Sequence, residues 1–369
     1  MATTNVEDHL FFQPIVNFPE AFSLAEKDSL SALYHTAVQD KVIPAYNSMY
    51  QFLKTDYLAA GKKASGISAI PNGEAYYNFQ IKKHTTTNME ADEIHQIGLT
   101  ETDRIQGEIL TILETEGYDV TEGFDKAMSA LNADAKFFYP DTEEGREQIL
   151  KDYQTIIDDI SISLDDWFSL KPKATIQVKR VPLFKEKTSA AAYYRPPSIG
   201  GSRPGVFYVN LSDIKMIPKY GMKTLAYHEG IPGHHFQIAI QSELESVPIF
   251  RTFGLFTAYI EGWALYSERL AWELGFQDNP FDNIGRLQAE LFRAVRLVVD
   301  TGLHAKKWTR QESIDYMINN TGMAESDVIS EIERYIVMPG QACSYKVGMM
   351  KILELRAKAK NALGDRFDL

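Results

Sequence analysis

Between residues 171 and 211 the chain changes texture, and that change constrains its fold more than any other feature. TIQVKRVP (175–182) alternates apolar and polar residues with a period of two. VFYVNL (206–211) is a short β-branched and aromatic run. The intervening AAYYRPPSIGGSRPG (191–205) is rich in Pro, Gly and Ser and reads as a loop. On both sides of this region apolar residues recur at helical spacing. Leu30, Leu33, Val38 and Val42 mark a helical stretch over 20–62, and further helices are expected over 100–116 and 139–164. Asp141 is the expected N-cap of the last of these, with Glu144 completing a capping box. GKKASGISAIPNG (61–73) reads as a loop, and AYYNFQIKKHT (75–85) as a short helix or an aromatic-rich strand. From Met222 onward the pattern is helical, with breaks near Pro248, at 278–280 and at 338–340. The expected fold class is therefore mainly α with one small β-sheet. It divides into an N-terminal helical part (1–170) and a second part with the sheet and further helices (171–369), the two forming one continuous domain.

Composition narrows the functional classes. The 369 residues carry 38 Lys+Arg against 50 Asp+Glu, a net charge of −12 with no basic run, which argues against nucleic-acid binding. No stretch approaches 18 apolar residues, so no membrane span is expected. The opening MATTNVEDHLFFQPIVNF has neither a basic n-region nor a long apolar h-region, and no signal peptide is expected in it. The single cysteine, Cys343, excludes an internal disulfide and a Cys-rich metal site. A chain without disulfides suits a reducing or an oxidising compartment, so localisation stays open.

The chemistry concentrates in HEGIPGHH, which places His228, His234 and His235 within eight residues. In a His-Glu-x-x-His helix, histidines at i and i+4 share a face and bind zinc, and the intervening Glu serves as base. Here the i+4 position is Pro232. His234 falls at i+6, about 120° off the face of His228, and His235 at i+7, back on that face but roughly 10 Å along the axis. A metal site thus requires the helix to deform, and Pro232-Gly233 provides the means: Pro removes a backbone donor, and Gly accepts unusual dihedrals. If 230–233 bulge out, His234 takes the place of the second ligand; His235 is the alternative. The bland reading is a helix that ends and restarts, leaving two surface histidines. A third ligand is available in TAYIEGWALYSERLAWELG (257–275), where Glu261 lies 27 residues after His234 and shares a helix face with Glu268.

HEGIPGHH, EGWALYSE, RLVVDTGLHAKKW (296–308) and PGQACSYKVG (339–348) occur together in this order. With AYYNFQIKKHTTTNMEADEIHQIGL (75–99) and YYRPPSIGGSRPGVFYVN (193–210), they resemble the DUF885 family over most of the chain. That family is similar to the gluzincin metallopeptidases of the M2, M3 and M32 groups. The resemblance implies a helical metallopeptidase-like fold with a deep cleft and one Zn2+ per chain. It implies His228, His234 and Glu261 as ligands and Glu229 as general base. It further implies hydrolysis of short peptides, in the manner of a carboxypeptidase or dipeptidase. The HEGIPGHH pattern is two residues longer than His-Glu-x-x-His, which leaves the second ligand open between His234 and His235.

Other residues fill supporting roles in this reading. Tyr345 is the candidate oxyanion donor and His304 the second choice. Asp300 and His304, at i and i+4, could form a carboxylate–imidazole pair. VFYVNL reads as an edge strand able to pair with an extended substrate, with Tyr208 and Asn210 as contacts. Arg203 and Lys346, with Arg293 and Arg296 as rivals, could grip a substrate carboxylate. The GGSRPG loop could act as a lid. The contrasting function is a non-catalytic peptide-binding protein on the same fold, which would need no base at position 229.

Overall fold

In the computed structural model, residues 5–61, 64–198, 202–245, 247–253 and 256–369 are described. The fold is mainly helical with one three-stranded sheet. The chain forms two compact units, residues 1–63 and residues 64–369.

In the first unit, α1 (Leu24–Ala37), α2 (Ile43–Phe52) and α3 (Leu58–Ala60) follow one another through two π-helical segments. Ser23 caps α1 in a reciprocal pair with Glu26. Its small core joins Val6, Val38 and Ile43.

The second unit holds α4 (Gly73–Thr85), α5 (Ala91–Thr115), α6 (Phe124–Ala133) and α7 (Glu143–Ser163). There follow β1 (Ile176–Arg180), the short α8 (Leu183–Glu186), β2 (Ala192–Arg195) and β3 (Gly205–Val209). The remainder is helical: α9 (Lys219–Glu229), α10 (His234–Glu243), α11 (Ile249–Phe253), α12 (Thr257–Glu273), α13 (Pro280–His304), α14 (Arg310–Thr321), α15 (Glu325–Val337) and α16 (Ser344–Leu363). Segment 75–85, ambiguous by sequence, lies within helix α4. The N-cap of α7 is Thr142, which accepts from the Gly145 amide. Asp141 instead pairs with Arg146 at 2.6 Å, because the helix starts one residue later than expected.

Among the described residues, two large apolar cores and two smaller ones hold this unit together. One large core is built around α13, whose Ile284, Leu287, Leu291, Ala294, Val295 and Val299 meet apolar faces of α5, α6, α14 and α15. The α5–α13 crossing is close: a Cβ on Gly98 would lie 2.7 Å from the Val298 side chain. The other core packs Tyr153 and Ile157 of α7 against Phe207 and Val209 of β3 and Ala226 and Tyr227 of α9. Helices from before residue 170 and elements from after it therefore share both cores.

The sheet order is β1-β3-β2, with β1 parallel and β2 antiparallel to β3. β3 is thus the central strand, and both its backbone edges are used. This corrects the expectation of an edge strand at 206–211. Its near-continuous apolar run suits a strand covered on both faces. The outer strands are β1 and β2.

Candidate metal centre

The site begins where α9 stops. The C-terminal turn of α9 is buried through Ala226, Tyr227, His228 and Glu229, and the helix ends at Gly230. The chain then loops over this end through Ile231 and Pro232 and re-enters a helix at His234. Gly233 makes the return possible. A Cβ there would sit 2.0 Å from the His228 carbonyl oxygen and 2.2 Å from that of Tyr227, so no side chain fits. The loop is clamped from α12: the Trp263 indole and the Ser267 hydroxyl both donate to the Pro232 carbonyl, at 2.8 and 3.2 Å. Residues 230–233 leave the helical path as the sequence reading required, and His234 comes back beside His228, ring centroids 4.8 Å apart.

Glu261 of α12 closes the cluster. Its Oε2 lies 3.3 Å from His234 Nε2 and 3.9 Å from His228 Nε2. One ligand atom from each of the three residues falls within 4.8 Å of the others. Tetrahedral zinc with bonds of ~2.0–2.1 Å holds neighbouring ligand atoms roughly 3.3–3.5 Å apart; the Glu261–His234 pair already has that spacing, and His228 would have to draw in for the three to hold such an ion. About a fifth of the Glu261 side chain is exposed (19%), which leaves the cluster open on that side.

A carboxylate orients the first imidazole from behind. Glu268, two turns along α12 from Glu261, is buried, and its Oε1 lies 2.7 Å from His228 Nδ1. That contact occupies Nδ1 and leaves Nε2 for the cluster. By sequence Glu268 only shares a helix face with Glu261; the seven-residue spacing is the signal that brings it to the same side.

Burial sets the charge states here. It drives the His228 pKa well below the ordinary imidazole value, aided by His234, Arg293 and Arg296, and so favours a neutral ring able to bind a metal. Burial raises the Glu229 pKa; Glu261 adds to this, while His234, Arg293 and the Tyr194 backbone amide oppose it. For His234 burial also disfavours the charged form, but its contact with Glu261 outweighs burial and raises the pKa. The Glu268 carboxyl is pushed up to about 8 by burial, against the pull of Arg293.

Tyr345 lies next to the group. Gly262 and Gly348 let α12 and α16 cross in near backbone contact; a Cβ on Gly262 would lie 2.5 Å from Gly348. One turn before Gly348, the Tyr345 ring lies parallel to His228, with centroids 6.5 Å apart. Burial raises its phenol pKa and Glu261 adds to the effect, while Arg296 opposes it.

Several expected site residues lie elsewhere or serve the scaffold. His235 faces away from Glu261: its Nδ1 meets the Tyr194 hydroxyl at 2.9 Å and its Nε2 the Ala174 carbonyl at 3.0 Å, so both nitrogens are used. His304 is buried, accepting from the Ile67 amide through Nδ1 and lying 3.0 Å from the Tyr335 carbonyl through Nε2. It has no free nitrogen for an oxyanion. Asp300 does not hydrogen-bond to His304; it accepts from the Tyr77 hydroxyl and the Gly340 amide. Lys346 is buried in ion pairs with Glu290 (2.5 Å) and Glu101 (2.7 Å) and is no substrate grip. The Asn210 amide ties down the carbonyls of Glu186 and Ser189. Tyr208 stacks on Tyr193 at 5.0 Å, and Arg203 donates to the adjacent Pro204 carbonyl. The loop expected to act as a lid, GGSRPG (200–205), includes residues 200 and 201, which lie outside the described residues. Two pockets, one bordered by Met89 and Met350 and the other by Tyr77 and His304, exclude the cluster.

Among the described residues, no helix is long and apolar enough to cross a membrane. A family model described as "Bacterial protein of unknown function (DUF885)" matches residues 1–369. No curated protein matches. Among the solved structures that are similar, two are each described as a "putative lipoprotein". That from Colwellia psychrerythraea is 43% identical with a TM-score of 0.95, covering 98% of this chain and 62% of its own. That from Shewanella oneidensis is 20% identical with a TM-score of 0.70, covering 97% and 65%, and shares the fold. The chain thus spans less than two thirds of either.

Proposed function

The chain belongs to the DUF885 family, and from its His-His-Glu cluster we propose that it is a zinc-dependent hydrolase of peptide bonds in short peptides. One observation carries the reading: two buried imidazoles and one partly buried carboxylate brought together, with a further carboxylate, Glu229, directly after the first histidine. Zinc held by His228, His234 and Glu261 would polarise the scissile carbonyl and acidify the attacking water. Glu229, its proton affinity raised by burial, accepts the water proton and returns it to the departing amine. Tyr345, kept protonated, donates to the developing oxyanion. Glu268 holds His228 in the required tautomer. The outer edge of β2, whose Tyr194 backbone amide acts on the Glu229 carboxyl, would offer backbone groups to an extended peptide beside the base.

The test is zinc content by plasma emission on wild type and on His228→Ala, His234→Ala, His235→Ala and Glu261→Ala, followed by a peptide-library screen of wild type and Glu229→Gln. The expected result is about one zinc per chain. It should be lost in the His228, His234 and Glu261 variants and kept in His235→Ala, and Glu229→Gln should be inactive but metal-replete. Zinc-loaded wild type that cleaves nothing would leave the binding-protein reading in its place.

A further inference from the structure

Resting on that reading, we infer that Arg293 and Arg296 of α13 form a receptor for the free C-terminal carboxylate of the substrate, which makes the enzyme a carboxypeptidase acting within a few residues of the chain end. The two arginines are one helical turn apart, with side chains only 13% and 6% exposed. A guanidinium buried to that extent ordinarily has its donors matched, because an unmatched charged donor is costly. Here the donors are incompletely matched. Arg296 donates from Nε to the Tyr335 hydroxyl and from Nη2 to Glu331, while its buried Nη1 has no partner. Arg293 spends Nη1 on the Ala289 carbonyl; its Nη2 stays 3.9 Å from Glu268, beyond hydrogen-bond reach, and its buried Nε has no partner.

The charge balance points the same way. Glu331 is shared between Arg296 and Arg334, so two cations draw on one carboxylate. The carboxylate nearest Arg293, Glu268, is already engaged with His228. Arg293 thus has no hydrogen-bonded carboxylate of its own, and a bidentate anion would supply the missing acceptors. Of the four cations considered from sequence, Lys346 is consumed by Glu290 and Glu101, and Arg203 makes its contact with a carbonyl beside it in the chain.

Position ties the pair to the cluster. Both guanidinium carbons lie over the Tyr345 ring, Arg296 at 4.7 Å and Arg293 at 5.8 Å, and that ring faces His228 at 6.5 Å. These contacts keep both guanidinium carbons within about 12 Å of the His228 ring, a distance that three or four extended residues at ~3.3–3.6 Å each can cover. A carboxylate held there therefore places the last few peptide bonds of the substrate at the cluster.

The experiment compares the tripeptide Ala-Ala-Phe with its C-terminal amide. With zinc-loaded wild type, kcat/KM for the free acid should exceed that for the amide on the order of 10- to 100-fold, the range of one or two charge-assisted hydrogen bonds. Arg293→Gln should collapse that ratio to within about threefold, chiefly through KM, with zinc content unchanged. Equal cleavage of acid and amide, or an undiminished ratio in Arg293→Gln, overturns the inference and leaves the peptidase reading intact. Calorimetric binding of both peptides to zinc-loaded Glu229→Gln protein, with and without Arg293→Gln, measures the same preference without turnover. If wild type cleaves neither peptide, this measurement still decides: a free-acid preference that disappears with Arg293→Gln supports the receptor, and no preference refutes it.

Discussion

Removing Glu268 tests whether the cluster is organised as a metal site or is only a buried polar knot. In Glu268→Ala, the His228 Nδ1 loses its 2.7 Å partner in a place closed to solvent. A buried donor left unmatched costs about 1–3 kcal/mol. If the ring is to stay neutral with Nε2 facing the cluster, that cost falls on the metal-binding arrangement, and outer carboxylates of this kind typically control affinity by about 10- to 100-fold. Zinc affinity, measured by competition with a chromogenic chelator at neutral pH, should fall by that factor in Glu268→Ala. The loss should be smaller in Glu268→Gln, whose amide oxygen can still accept from Nδ1. Thermal unfolding of the zinc-free variants separates a folding defect from a binding defect. Wild-type zinc affinity in a folded Glu268→Ala protein would refute the assignment of Glu268 as the group that positions His228.

The scaffold assignments yield further outcomes. Lys346→Met strips Glu290 and Glu101 of a buried cation and should cost about 3–5 kcal/mol in urea unfolding, while KM for the tripeptide stays unchanged in whatever folds. His304→Gln should lower stability by about 1–3 kcal/mol by disturbing its bonds to Ile67 and Tyr335, leaving zinc affinity intact as measured by the same chelator competition. Gly233→Ala should reduce zinc content, read by plasma emission, because the added carbon meets two carbonyl oxygens and pushes His234 off Glu261. Burial opposes ionisation of Glu290, but Lys346, Arg286 and Arg104 outweigh it and hold its pKa at about 2 in the fold against 4.5 unfolded. Its stabilising contribution is therefore complete above about pH 4.5 and is lost as pH falls through about 2; unfolding followed by circular dichroism should show stability declining across that window, and less so in Glu290→Gln.

Much of this protein was legible in the sequence because the relevant physics is local. Period-two alternation at 175–182 and the apolar run at 206–211 located two of the three strands, since backbone geometry responds to near neighbours; β2 lies inside the Pro/Gly-rich segment 191–205 expected to be a loop, because its pairing with β3 is a tertiary contact. The Pro232-Gly233 step announced a deformed helix, since those residues change dihedrals and hydrogen bonding wherever they occur. The helical spacing of Glu261 and Glu268 placed both on one face of α12. Tertiary packing decided the rest. Which of His234 and His235 faces Glu261 depends on how the loop closes over α9 and on the Trp263 and Ser267 clamp from a distant helix. Strand order, and with it which strands are outermost, depends on which strands pair, and β3 pairs on both sides. Lys346 and Arg293 look alike along the chain; one finds Glu290 and the other finds no bonded carboxylate, because α16 and α13 bring different neighbours to each. Local sequence determines the conformations and side chains on offer, whereas the matching of buried charges is a property of contacts between residues far apart in the chain.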